Sequence, residues 1–162
     1  MADPKASRPH IPGYGLADAD AGKGLLPWRW AEERLTRTHN YWIATTRRDG
    51  APHMMPVWAV WFEDALWFST GESTVKARNL AGDARCVVST EGAEEAVILE
   101  GVAEAISDVA RLRPMVDIYN AKYRWDMEPA QGGFYRVRPS VVFGFIEHNG
   151  EFQATATRWM FE

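Results

Sequence analysis

Apolar positions along this chain follow two periods. Between Tyr41 and Ile106 they form short runs separated by turn residues, as half-buried strands do; on either side they recur every three or four residues, as on one face of a helix. Trp28, Ala31 and Leu35, following Pro27 and flanking Glu32 and Glu33, predict a first helix packed on the end of the sheet. Strands are predicted over Tyr41–Thr46, Pro52–Phe62, Ala65–Ser69, Arg85–Thr90 and Ala96–Ile106. Arg47-Arg48-Asp49-Gly50 and Glu63-Asp64 supply turns, and Gly101 a bulge or bend. Five short strands in close succession predict a mainly β fold with flanking helices, a meander closing on itself. Asp108 is placed to cap a helix reaching Tyr123, with Leu112, Val116, Tyr119 and Tyr123 on one stripe. Phe134–Arg138 and Val141–Ile146 read as a last strand pair divided by Pro139. An Asn149-Gly150 turn then leads to Ala154–Phe161, a tail too aromatic to be left in water. The first residues carry Pro4, Pro9 and Pro12 and no apolar period, so 1–26 is expected to be a flexible or surface-draped arm before one domain over 27–162.

A chain of 162 residues, 46% hydrophobic, builds one core and is too short for two ordinary domains. Its net charge of −4 argues against a broad nucleic-acid-binding face. Cys86 lies in an apolar run and reads as a core thiol. No apolar run is long enough to span a bilayer, and no secretion signal opens the chain, so a cytoplasmic protein with no membrane partner is expected. His10, His39, His53 and His148 lack the spacing of metal ligands, and no metal site is expected.

Two stretches carry candidate chemistry. From Phe68 to Leu80 a strand ends in Ser69, Thr70 and Gly71, and a short helix opens with Ser73 and Thr74 and carries Lys76, Arg78 and Asn79. Hydroxyls, free first-turn N–H groups and two cations suit a phosphate; a capped helix whose cations face water is the other reading. The run Pro52–Phe62 alternates apolar residues on both faces, so each needs cover. Pro56 cannot donate to a ladder and marks an edge or bulge, where a heteroaromatic ring with polar edges fits. A dimer contact with no ligand accounts for the same pattern.

Arg48-Asp49-Gly50-Ala51-Pro52-His53-Met54-Met55-Pro56-Val57-Trp58, then Ser73 to Leu80 with Asp83 and Arg85, then Glu100-Gly101-Val102-Ala103-Glu104, resemble the pyridoxamine 5′-phosphate oxidase-like flavin and deazaflavin oxidoreductases. The resemblance runs from about Arg34 to Trp159. It implies a split β-barrel homodimer binding FMN or coenzyme F420 along the subunit interface, with hydride passing through the ring to a small-molecule substrate; F420 is favoured for this branch. It further implies Met55, Pro56, Val57 and Trp58 beside the ring, Ser69 and Thr70 near the ribityl chain, and Ser73, Thr74, Lys76, Arg78 and Asn79 around the phosphate. Trp159 is implied as a cover from the other subunit. The substrate-binding carboxy-terminal segment of the vitamin-forming enzymes is not matched, so a general flavin or deazaflavin reductase is expected rather than a genuine pyridoxamine phosphate oxidase. Trp58, Trp61, Tyr119 and Trp125 point to a flat, hydrophobic acceptor. A non-catalytic flavin, deazaflavin or heme carrier or sensor is the alternative.

Overall fold

The computed structural model describes residues 4–21, 24–148 and 150–162. Met1–Asp3, Gly22 and Lys23 of the expected arm, and Asn149 of the expected turn, lie outside the described residues. In chain order the elements are β1 (Lys5–Ser7), α1 (Trp28–Arg37), β2 (Tyr41–Thr46), β3 (Pro52–Val57), β4 (Ala59–Phe62), β5 (Ala65–Ser69), α2 (Val75–Gly82), β6 (Arg85–Thr90), β7 (Glu95–Ile106), α3 (Val109–Tyr123), β8 (Phe134–Ile146), α4 (Glu151–Thr155) and β9 (Thr157–Met160). A single 3-10 turn, Pro129–Gln131, precedes β8.

All pairings are antiparallel, and the main path runs β1-β9-β8-β7-β6-β2-β3. β8 is the seam. Its whole length pairs with β7, its first residues also with β5, and Val141–Gly144 also with β9. Pro139 does not divide it into two strands, because the register shift at Glu100/Gly101 on β7 absorbs the missing donor opposite. Gly101 is obligatory there: a Cβ would stand 2.2 Å from the Arg138 carbonyl oxygen.

The expected strand Pro52–Phe62 is two strands, and the expected closure does not form. β3 pairs with β2 from Tyr41↔Val57 to Thr46↔Pro52, whereas β4 pairs with β5. The chain changes partner at Trp58, so the ladder opens between β3 and β4. The result is a split-barrel β+α fold whose sheet is not closed, with β3 as a free edge.

Two apolar clusters hold it. Tyr41, Ile43, Phe68, Val88, Leu99, Val142 and Trp159 fill the barrel beneath Trp28, Ala31 and Leu35 of α1. Trp67, Phe134 and Val60 pack against Leu112, Met115, Val116 and Tyr119 of α3. Asp108 caps α3 as predicted, accepting from the Ala110 and Arg111 N–H groups. Cys86 is a buried core thiol, pushed up to about 12 by desolvation.

The amino-terminal segment adds β1 to the sheet, paired with β9. Its Arg8 guanidinium donates to the carbonyls of Ala17, Asp18, Ala154 and Ala156 at 2.8–3.1 Å, tying the two ends of the chain together. No helix among the described residues is long and apolar enough to cross a membrane.

Candidate functional site

The hydroxyl-rich end of β5 and the start of α2 form one unit. Thr74 caps α2, accepting from the Ala77 N–H at 3.3 Å, and its hydroxyl meets that of Thr70 at 3.1 Å. Thr70 is itself fixed by its N–H, which donates to the Gly133 carbonyl at 2.9 Å. Ser73 is exposed beside them and Ser69 is half-buried at the strand end. Asn79 is buried and donates from Nδ2 to Thr45 Oγ1 at 3.0 Å, docking α2 on β2.

That docking creates a groove of about 990 Å³ between α2 and the β2–β3 hairpin. Arg78, Val75 and Gly82 form one wall, and Arg47, Arg48, Asp49 and Gly50 the other. Asp83 also faces it, but its carboxylate is engaged by Arg85 at 2.7–3.2 Å and is held down to about 2 by that bond. Three guanidiniums thus face Asp49 alone, and the groove is cationic.

Lys76 and Arg78, read from sequence as one grip, are separated. Two residues are about 200° around a helix, so their side chains leave on nearly opposite sides. Arg78 lines the groove; half-buried Lys76 does not, and is left on the side away from it. Arg47 and Arg48 are not among the residues that sequence reasoning assigns to the cofactor, although Arg48 opens the run that carries the resemblance; a pair of arginines beside a turn is the available signal.

β3 supplies the second part. Its outer edge is unpaired, and Met54 and Met55 are 58% and 43% exposed, with Trp42 of β2 beside them at 40%. Pro56 is exposed and stands opposite Trp42, and Val57 turns into the core. The strand is therefore not covered on both sides within one protomer. His53 Nδ1 is buried without a hydrogen-bond partner, on the residue opposite Thr45, where α2 is docked. A buried polar atom left unpaired marks a place for a ligand or water.

Trp58 turns toward α3, stacked on Tyr123 at 4.6 Å and flanked by Trp125 at 5.9 Å and Tyr119 at 6.5 Å. Trp61 does not join them; it packs on Trp28 in the other cluster. Trp159 is fully buried, 5.5 Å from Trp28 and close over Gly144, so the covering role expected of it does not fit its placement. Alternation along β9 carries it into the core.

Behind Trp58, Lys122 Nζ donates to Tyr41 Oη and to the Ala59 carbonyl, each at 2.9 Å. Burial lowers its pKa to about 8, with Glu91 opposing the shift. The unfolded chain therefore binds more protons than the folded one above about pH 8, and stability rises with pH there. Near pH 10 the sign reverses, because burial raises the phenols of Tyr41 and Tyr123 above 10.0 and the unfolded tyrosines ionise first. In chemical denaturation between pH 8 and 10, wild type should gain stability relative to Lys122→Met; parallel curves would contradict this.

The family described as pyridoxamine 5′-phosphate oxidase matches residues 30–144. The chain belongs to this family. Solved structures share its fold. An F420 reductase aligns at 23% identity over 68% of this chain and 94% of its own, with TM-score 0.56. A FAD-binding protein from Mesorhizobium loti aligns at 16% identity over 82% and 94%, TM-score 0.59. A heme binding protein from Mycobacterium smegmatis aligns at 24% identity over 78% and 60%, TM-score 0.57. No curated protein matches. The fold is thus shared by proteins whose names carry F420, FAD and heme. Among the described residues of this member, no group of three or more His, Cys, Asp or Glu is placed to hold a metal ion.

Proposed function

We propose that this family member is an oxidoreductase that transfers hydride between bound FMN or F420 and a small planar organic acceptor, acting as a homodimer. The observation that carries this reading is the placement of a cationic groove at one end of an exposed apolar edge strand: the hairpin walling the groove runs directly into β3. An anionic tail and a flat head joined by a chain have matching surfaces there.

The residues present fit such a group. The main-chain edge of Met55, Pro56, Val57 and Trp58 would meet the polar rim of the ring, and His53 Nδ1 lies unpartnered nearby in β3. Ser69 and Thr70 would receive the ribityl hydroxyls; Ser73, Thr74 and Lys76, with the first N–H groups of α2, the phosphate. Asn79 holds α2 in place through Thr45. When bound, the flavin or deazaflavin supplies the hydride chemistry, and the protein binds and orients it. Trp42, Met54 and Met55 would keep water from the ring, and a second copy laid on this exposed edge would complete the cover.

Length favours F420. From Pro52 to Met55 the strand advances roughly 10 Å at about 3.4 Å per residue, and the arginine hairpin lies beyond Pro52. An extended chain advances about 1.2 Å per bond, so the seven bonds from ring to phosphorus in FMN reach roughly 8 Å. FMN against β3 leaves Arg47, Arg48 and Arg78 unused, whereas the acidic tail that F420 carries beyond its phosphate extends toward them.

Absorption and fluorescence titration of the purified protein with each cofactor is the test, followed by reoxidation of the reduced complex by quinones, tetrapyrroles and enones. F420 should bind more tightly than FMN and turn over with at least one acceptor. Binding of neither would refute the proposal, and binding without turnover would leave a carrier.

A further inference from the structure

We infer that Tyr123 and Lys122 are positioning residues for β3, locking the corner at which the strand leaves the barrel. The inference rests on the reading above in one respect, that β3 is the strand bearing the ring.

A chain that changes partner between two strands leaves main-chain polar groups without a ladder, and buried ones must find other partners. At this corner both groups of Ala59 are served by α3. The Ala59 N–H donates to Tyr123 Oη at 2.9 Å, and the Ala59 carbonyl accepts from Lys122 Nζ at 2.9 Å. The single phenolic proton of Tyr123 lies between the carbonyls of Ala59 and His39, each 2.8 Å from Oη. Lys122 also reaches Tyr41 Oη, which donates to the Leu35 carbonyl. Two consecutive side chains of α3 therefore join the end of α1, the start of β2 and the β3–β4 corner at one polar node.

The consequence for β3 is mechanical. It is paired on one side only, through β2. Its beginning is set by the hairpin, in which the Arg47 N–H donates to the Ala51 carbonyl and the Gly50 N–H to the Arg47 carbonyl. Its far end, where Val57 and Trp58 meet the proposed ring, is set by the node and by the Trp58 ring stacked on Tyr123 with an interplanar angle of 4°. A free edge with a loose far end would fray and lose the alignment of its main-chain donors and acceptors.

Tyr123→Phe keeps the stack and removes the hydroxyl. It should weaken F420 or FMN binding about ten-fold and speed exchange of the β3 amides that donate to β2 by about the same factor. Lys122→Met, which retains the apolar stem, should do so more weakly and serves if Tyr123→Phe does not fold. Val116→Ala, a core truncation on the same helix, is the control: it should lower the melting temperature yet leave affinity and β3 exchange unchanged well below the transition. Wild-type affinity and β3 exchange in Tyr123→Phe, or equal changes in Val116→Ala, would overturn the inference. If wild type binds neither cofactor, the proposed function fails separately, and exchange in the ligand-free proteins still decides whether the node holds β3.

Discussion

Replacing Arg47, Arg48 and Arg78 together with alanine should cost F420 binding about a thousand-fold while changing FMN binding little. All three line the groove, and Asp83, the nearer acid on α2's end, is already taken by Arg85. Charge-assisted hydrogen bonds contribute about 1.5 to 3 kcal/mol each. Arg47, Arg48 and Arg78 are exposed, so the low end applies, and three contacts give roughly 4.5 kcal/mol, about three decades in affinity. Raising salt should weaken F420 binding in wild type and have less effect in the triple variant, since screening acts on the same exposed charges. Lys76→Ala separates the two anion sites. Standing away from the groove, it should weaken FMN and F420 alike, by the one phosphate contact both share. Fluorescence titration at matched ionic strength reads all of these. Undiminished F420 binding in the triple variant would remove the tail site, and an equal loss for both cofactors would move the phosphate itself into the groove.

What was legible in the sequence was whatever depends on local period. Trp28, Ala31 and Leu35 declare α1, the 112–123 stripe declares α3, and Thr74 and Asp108 are caps where hydroxyl and carboxylate precede a helix. The break at Trp58 was not legible, since alternation continues through it unbroken; what changes is the partner strand, and no residue in the run records that. The same blindness hid the groove. Arg47 and Arg48 acquire meaning only because Asn79 docks α2 beside their hairpin, a contact across 34 residues of sequence. By contrast, the divergence of Lys76 and Arg78 followed from helical spacing alone. Trp159 was similarly readable: Thr157 and Trp159 alternate as inward residues of a strand, both fully buried, and the aromatic tail needed no second subunit to leave water. β1 carries three residues without an apolar pattern and is fixed by pairing with β9, which sequence period does not detect.

Gly133→Ala should destabilise the fold by about 3 to 5 kcal/mol, lowering the melting temperature by about 6 to 20 °C in a chain of this size. Two costs combine. Gly133 has φ +71°, where a side chain costs about 1 to 2 kcal/mol. A Cβ there would also stand 2.1 Å from the Thr70 carbonyl oxygen, and since that atom is main chain it yields only if β5 or β8 moves. Gly50 isolates the first cost, having φ +86° and open space around it, so Gly50→Ala should lose only about 1 kcal/mol. Gly82 has neither a positive φ nor a neighbour within 4 Å, and Gly82→Ala should change stability by less than about 0.5 kcal/mol. Thermal unfolding of the three variants therefore separates backbone strain from collision. The site responds as well, because the Thr70 N–H donates to the Gly133 carbonyl and the Thr70 hydroxyl meets Thr74. Displacing Thr70 disturbs the mouth of α2, so any folded Gly133→Ala protein should bind FMN and F420 more weakly in equal measure, unlike the arginine variant. If Gly133→Ala proves as mild as Gly50→Ala, the β5–β8 contact yields to a methyl group, and the hydroxyl pair at the start of α2 is not rigidly placed.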